Sequence, residues 1–216
     1  MTLAIIQRAS PNYSSRKGTP VVAVVIHFDV APWSRATIDW LCDPRSQASA
    51  HYHVGRDGAV TQMVDLAEMA WHTGNAILPM PDGTSKSWAN PWTIGIECGN
   101  LGPLERDDSG RFFWRDGVIL RPYKGPEPIR AVLMFRDGHR REAWWEPWDP
   151  RLITSLLELL EHLRGLGYVE AVEHCIGHEE IYTATPTRRK VDPGPLFPWD
   201  RFPRAVPLMT TSELMP

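Results

Sequence analysis

A nearly continuous apolar run, TPVVAVVIHFDV at residues 19–30, limits the fold more than any other feature of the chain. Strands with one face in water alternate apolar and polar residues, whereas an unbroken Val/Ile run is typical of a strand buried on both faces. The run therefore predicts a central strand of an α/β sheet. His27 and Asp29 stand at its C-terminal end, where open α/β sheets place their functional groups.

Three shorter patterns after this run predict a helix, a β-hairpin and a further strand. Residues 34–44, SRATIDWLCDP, predict a short helix with Ser34 as its cap and Pro44 as its stop. Residues 51–64 predict two strands around an Arg-Asp-Gly turn. Residues 93–100, TIGIECGN, predict another short buried strand.

The clearest helix is expected after Asp149, which suits the N-cap, with Pro150 in the first turn. Apolar residues then recur at the spacing of one helix face: Leu152, Ile153, Leu156, Leu157, Leu160 and Leu163. Gly165 and Gly167 are expected to end the helix. Residues 168–177, YVEAVEHCIG, predict a last short strand.

Length and composition narrow the class of protein. A chain of 216 residues with 43% hydrophobic residues favours one domain, over residues 1–216, with a proper core. A net charge of -3 argues against electrostatic binding of nucleic acid. Three scattered cysteines make a disulfide framework unexpected. The N-terminal apolar run is too short for a signal peptide, and no stretch is long enough to span a membrane, so we expect a soluble protein made in the cytoplasm and monomeric.

Residues 101–149 interrupt the regular pattern. This segment mixes glycine, proline and charges with aromatics, among them Trp114, Trp144, Trp145 and Trp148. Its middle predicts a hairpin that turns near Asp137 and Gly138. The tail from about residue 203 is expected to be irregular.

Three polar residues could form a metal site. Hydrolytic zinc sites use three His, Asp or Glu ligands and leave one position for water. His27 at a strand end, with His178 and Asp192 in the segment GHEEIYTATPTRRKVDPGP, supplies such a set. With eight histidines in the chain, satisfied structural histidines remain the alternative.

A competing ligand pair is His51-x-His53, because alternate residues of a strand face the same side. Packing in the sheet with a hydrogen bond to a backbone carbonyl is the other interpretation of these two. Cys175 lies close enough in sequence to His178 to be a soft ligand, although an inert buried thiol is the simpler interpretation.

Glu97 is a charged residue within an apolar strand. A carboxylate there is costly unless it is paired or used, so Glu97 is a candidate general base with a raised pKa. A structural salt bridge is the alternative. Lys190 would face the same site as Asp192 if the loop is extended, although the neighbouring Arg188 and Arg189 also fit a solvated basic run.

Seven segments in order resemble the zinc-dependent N-acetylmuramoyl-L-alanine amidases, a family that includes recycling amidases, phage lysins and peptidoglycan recognition proteins. The segments are SPNYSSR, VVIHF, SAHYHVGRDGAVTQMV, AWHTG, TIGIECGN, GHEEI and KVDPGPLF. They cover most of residues 9–197 apart from 101–149. The resemblance implies a mixed central β-sheet flanked by helices, with Zn²⁺ in a surface groove.

The resemblance also assigns roles to individual residues. It implies zinc ligands at His27, His178 and Asp192, a catalytic glutamate at Glu97 and an oxyanion-stabilising lysine at Lys190. It places substrate contacts at His72, Trp71 and Asn100, and it matches His51 to a histidine that does not bind metal.

The activity that the resemblance implies is hydrolysis of the amide bond between N-acetylmuramic acid and L-alanine, either in the cytoplasm or, after release of the protein, on the cell wall. A non-catalytic peptidoglycan-binding protein and a zinc hydrolase of another amide bond are the alternatives. The family often has a second His or Tyr after the first ligand, where this chain has Phe28. The segment 101–149 is longer than the resemblance leads us to expect.

Overall fold

The computed structural model describes residues 3–135, 138–183, 189–205 and 211–214. Its helices are α1 Ser34–Leu41, α2 Pro150–Gly165 and α3 Val169–Glu173. Its strands are β1 Ile5–Gln7, β2 Tyr13–Ser15, β3 Ala23–Phe28, β4 Tyr52–Val54, β5 Val60–Gln62, β6 Glu68–Ala70, β7 Ala76–Pro79, β8 Ser85–Ser87, β9 Thr93–Cys98, β10 Pro103–Arg106, β11 Phe112–Asp116, β12 Ile119–Pro122, β13 Ile129–Met134, β14 Arg140–Trp145, β15 Cys175–Gly177, β16 Tyr182–Thr183 and β17 Thr211–Leu214.

A mixed six-stranded sheet in the order β1-β5-β4-β9-β3-β15 forms the centre of the molecule. Every residue of β3 is buried, which confirms the strand predicted from the Val/Ile run. β3 pairs in parallel with β9 on one side and β15 on the other, and β9 pairs in parallel with β4. β4 and β5 pair antiparallel, as predicted for the hairpin at 51–64.

Helix α2 covers one face of this sheet. Asp149 accepts a hydrogen bond from the Arg151 backbone N–H and Pro150 occupies the first turn, both as predicted. The buried stripe of α2 packs against the apolar residues of β3, β4 and β9. It contains Leu159, while Leu157 is only partly buried. A smaller apolar cluster covers the other face, which also carries the polar site. Within the described ranges, no helix is both long and apolar enough to cross a membrane.

Three local predictions are wrong. Ser34 is the first helical residue rather than the cap, because Trp33 is the last extended residue and makes no side-chain cap bond. The segment predicted as one strand at 168–177 begins as helix α3, and only Cys175–Gly177 is extended. The adjacent Ala171 and Val172 are both buried, which fits a helical face better than strand alternation. The tail is not irregular throughout, since residues 211–214 form β17 and pair with β13.

Residues 101–149 form most of a second six-stranded sheet, in the order β12-β11-β10-β14-β13-β17. β13 and β14 make the predicted hairpin; of its predicted turn, Asp137 lies outside the described residues and Gly138 within them. Trp145, 2% exposed, joins this sheet to the body by packing in one cluster with Phe28 and Val191. Trp145 Nε1–H also donates to the backbone oxygen of Ala131 at 3.1 Å.

A partly buried ion pair holds the second sheet to the first. Arg56, in the turn of the β4–β5 hairpin, contacts Glu146 at 2.9 Å, and Glu146 also accepts a hydrogen bond from the Leu101 N–H. Asn100 completes this junction with bonds to the Glu146 carbonyl and from the Gly102 N–H. The two ends of the segment are therefore tied together and to the central sheet.

We expect Trp145 to be a core residue and Trp144 a surface residue of the same strand. Trp145→Ala should lower the free energy of unfolding by about 3–5 kcal/mol, because it removes a fully packed aromatic side chain. Trp144→Ala should cost less than about half of that, since Trp144 is only partly buried. Urea unfolding of the two variants tests this, and equal losses would contradict the assignment.

Candidate metal centre

One cross-strand row of side chains begins the site. In the parallel register of β4, β9 and β3, His53 lies opposite Glu97 and Glu97 lies opposite His27. Paired residues of neighbouring strands point to the same face, and neighbouring strands lie about 4.8 Å apart. The sheet therefore presents a carboxyl group between two imidazoles on the face away from α2.

Strand β15 brings the second histidine to this row. Gly177 pairs with Ile26 of β3, so His178 follows directly beside His27. The loop that carries Asp192 is tied to the same place, because the Glu179 N–H donates to the Asp192 carbonyl at 2.9 Å. Two loops that are distant in sequence thus meet at the end of β3.

Three ligand atoms converge at this point. His27 Nδ1 lies 2.9 Å from His178 Nδ1 and 3.1 Å from Asp192 Oδ2, and the last two atoms are 2.9 Å apart. Within the described part of the chain, these three residues form a group whose ligand atoms lie close enough together to hold one metal ion. They are 2%, 4% and 7% exposed, so the three side chains are largely shielded from solvent.

The spacing of this trio fits a tetrahedral metal ion. Bonds of about 2.0–2.2 Å in a tetrahedron place neighbouring ligand atoms about 3.3–3.6 Å apart. The three atoms here, at 2.9–3.1 Å, lie only slightly closer together than that. Burial and the charge of His178 lower the pKa of His27 to about 4, so its ring is neutral near pH 7. Burial opposes ionisation of Asp192, but the two histidines outweigh it and hold the pKa of that carboxyl below its usual range. Two imidazoles and a carboxylate form a ligand set that suits Zn²⁺.

A chain of hydrogen bonds behind His27 fixes its proton. The Thr93 hydroxyl donates to the Ala89 carbonyl at 3.0 Å and therefore accepts from His72 Nε2–H, also at 3.0 Å. Burial and the charge of His27 lower the pKa of His72 well below its usual range, so this ring too is neutral. His72 Nδ1 is then free to accept from His27 Nε2–H at 3.0 Å. The lone pair of His27 is left on Nδ1, the atom that faces His178 and Asp192.

Glu97 lies beside the trio without a partner of its own. Its Oε2 atom is buried and forms no hydrogen bond within the described ranges. Burial, reinforced by the charges of Asp192 and Asp29, raises the pKa of Glu97 well above its usual range, while Lys190 opposes the shift. This agrees with the raised pKa predicted for Glu97 and does not support the salt-bridge alternative.

Lys190 is exposed, and its charge acts on both Glu97 and His27. It lies two residues before Asp192, on the loop that closes the site. A cation thus stands at the solvent side of a site whose other side is buried.

The competing metal ligands are occupied elsewhere. His53 Nε2 contacts Asp29 at 2.9 Å, and His51 Nδ1 accepts from the Gly95 N–H at 3.0 Å. The two histidines therefore serve the sheet, and the H-x-H metal site is wrong. The Cys175 thiol is buried, donates to the Val172 carbonyl and has its pKa raised to about 12 by burial, so it is inert.

The residues predicted to touch substrate lie in three different settings. His72 contacts His27 as described, and Trp71 is partly buried with its Nε1–H donating to Ser14 Oγ at 3.0 Å. Asn100 is 2% exposed and its amide is used by the backbone of Gly102 and Glu146. Burial and these bonds give Asn100 a structural role at the junction, and its predicted substrate contact stays a prediction.

No pattern in the sequence indicated a role for Thr93 or the full role of Asp29. Thr93 is an ordinary strand residue by type, and only the fold places its hydroxyl behind His72. Asp29 stood out at the end of the predicted strand, but its bonds to His53 and Thr37 depend on tertiary contacts.

We expect His72→Ala to weaken Zn²⁺ binding by about 10–100-fold, because His27 loses the acceptor that fixes its tautomer. Thr93→Val should weaken binding in the same direction, and Thr93→Ser, which keeps the hydroxyl, should not. Competition with a chromophoric chelator measures the affinity. Unchanged affinity in both His72→Ala and Thr93→Val would contradict the role of the hydrogen-bond chain.

Comparison with known proteins places the chain among characterised relatives. The profile of the Amidase_2 family, described as N-acetylmuramoyl-L-alanine amidase, matches residues 17–195. N-acetylmuramoyl-L-alanine amidase A of Achromobacter lyticus is 34% identical over 195 residues, which cover 90% of this chain and 87% of that protein. The 1,6-anhydro-N-acetylmuramyl-L-alanine amidase AmpD of Escherichia coli is 24% identical over 220 residues, which cover 94% of this chain and 92% of that protein.

The fold also matches a solved structure. The amidase AmiD of E. coli, in complex with anhydro-N-acetylmuramic acid-L-Ala-D-γ-Glu-L-Lys, superimposes with a TM-score of 0.55 at 24% identity. The match covers 89% of this chain and 58% of that chain.

Proposed function

The chain belongs to the N-acetylmuramoyl-L-alanine amidase family, whose members are amidohydrolases of peptidoglycan or muropeptides, and we propose that His27, His178 and Asp192 hold the catalytic zinc ion of this chain. The convergence of their three ligand atoms within 3.1 Å of one another is the observation that supports this most strongly. Zinc bound there would lower the pKa of a water molecule toward about 7 and polarise the substrate carbonyl.

Glu97 is the general base in this proposal. Its carboxyl group lies on the strand next to His27, on the same face, with one buried oxygen that no other described residue engages. A raised pKa lets the group take a proton from the attacking water and return it to the leaving L-alanine amine. A carboxylate ion-paired to an arginine could not do both.

Lys190 is the cation that stabilises the negative oxygen of the tetrahedral intermediate. Its position at the open side of the site supports this, because the substrate carbonyl approaches from solvent. One positioned donor of this kind is worth about 10²–10³ in rate.

We also propose that the chain is a single catalytic domain in which residues 101–149 form one wall of the substrate groove. The ties of this segment to Arg56 and to the Phe28 cluster support one unit rather than a separate module. A free muropeptide in the cytoplasm is the substrate that the similarity to AmpD over most of both chains supports.

Glu97→Gln should keep the fold and the zinc but lower turnover by about 10²–10⁴, since it removes only the proton shuttle. Turnover is measured as release of the stem peptide from a purified muropeptide, and zinc by atomic emission. His178→Ala serves as the control that should lose both zinc and activity.

Mass spectrometry of the products completes this test. Cleavage between the lactyl group and L-alanine agrees with the proposal, and cleavage at another amide refutes it. A Glu97→Gln variant with more than about a tenth of the wild-type rate would show that Glu97 is structural.

A further inference from the structure

A groove opens where two strands of the second sheet diverge. β10 pairs with β14 only at Pro103 and Leu104, and then turns to pair with β11 at Glu105 and Arg106. The edge of β14 before Trp144 is therefore not covered by β10. The space between the diverging strands is an open groove of about 940 Å³.

The charges that line this groove do not balance. Arg106, Arg115, Arg130 and Arg141 line it together with Glu105 and Glu142. Arg115 pairs with Glu105, and Arg130 pairs with Glu142. Arg106 and Arg141 have no carboxylate within ion-pair distance among the described residues, so two positive charges remain uncompensated.

One of these guanidinium groups is held in place by aromatic rings. The Arg106 guanidinium carbon lies 5.5 Å from the centre of the Trp144 ring and 5.7 Å from that of Phe112. Such stacking orients the guanidinium plane and leaves its edge N–H groups for a ligand. A carboxylate is the ligand that this edge fits best, because two parallel N–H···O bonds can form.

The same groove reaches the neighbours of the metal ligands. Phe28 and Val191 line it, and they directly follow His27 and directly precede Asp192 in the chain. An extended peptide of three residues spans about 10 Å. A short peptide that begins at the scissile bond is therefore long enough to reach from the metal centre into the groove.

We propose that this groove binds the acidic stem peptide of the substrate, with Arg106 and Arg141 receiving its carboxylates. The inference rests on the proposed amidase function, because the peptide is the part of the substrate that leaves with the L-alanine amine. A γ-linked glutamate in such a peptide keeps a free α-carboxylate, and a C-terminal residue adds a second. The apolar surfaces of Phe28, Leu101 and Trp144 cover the aliphatic parts of the peptide.

Steady-state kinetics on two matched muropeptides tests this proposal. One carries free stem-peptide carboxylates, and in the other these groups are carboxamides. For the free acid, Arg106→Ala and Arg141→Ala should each raise KM roughly fivefold or more, with kcat and zinc content unchanged. For the carboxamide, the KM of both variants should equal that of the wild type.

Arg121→Ala is the control variant. Arg121 is exposed on β12, is paired with Asp116 and does not line the groove, so its loss should change neither KM. Wild-type KM values that are equal for the two substrates, or Arg106→Ala and Arg141→Ala variants with unchanged KM for the free acid, would overturn the proposal while leaving the amidase function intact.

A binding experiment separates this inference from the proposed function. Calorimetric titration of the zinc-loaded protein with the peptide L-Ala-γ-D-Glu-L-Lys needs no turnover. Binding that is lost in the Arg106→Ala/Arg141→Ala double variant supports the groove even if no muropeptide is hydrolysed. Absence of peptide binding by the wild-type protein, or equal binding by the double variant, contradicts it.

Discussion

The parallel register of β3 against β9 is the constraint on which the rest of the site depends. It sets Glu97 opposite His27, and the pairing of β15 with the other side of β3 then places His178 next to His27. A slip of one residue in either pairing would turn a side chain to the face covered by α2. The apolar cluster between the sheet and α2 resists such a slip, because the alternate residues Val24, Ile26 and Ile96 are buried in it. The core therefore stabilises the geometry of the candidate site as well as the fold.

The second sheet extends this support to the other side of the metal centre. Trp145 packs with Phe28 and Val191, and an added Cβ on Gly194 would lie only 2.9 Å from its ring. The loop that carries Asp192 thus rests on a fully buried indole. The same strand places Trp144 in the groove beside Arg106. Trp145 of β14 supports the loop that carries Asp192, and the preceding residue of the same strand lines the groove. The position of Asp192 is therefore coupled to the shape of the groove.

Elements with a strong periodic pattern were predictable from the sequence, and contacts made by single polar groups were not. The Val/Ile run of β3 and the leucine stripe of α2 each have one solution that buries their apolar side chains. The trio of His27, His178 and Asp192 was found through its resemblance to a family, since spacing alone allowed other histidines. Helix α3 was missed because five residues with two adjacent apolar positions fit either period. The role of Thr93 depends on one hydroxyl lying behind His72, which no local pattern records.

A crystal structure of the zinc-loaded protein, with anomalous data collected on both sides of the zinc absorption edge, tests the central claim most directly. The account predicts one zinc peak bonded to His27 Nδ1, His178 Nδ1 and Asp192 Oδ2 at about 2.0–2.2 Å, with a fourth position open toward Lys190 and Glu97. A zinc ion bonded through His27 Nε2, or a peak at His51 and His53 with none at this trio, would contradict it.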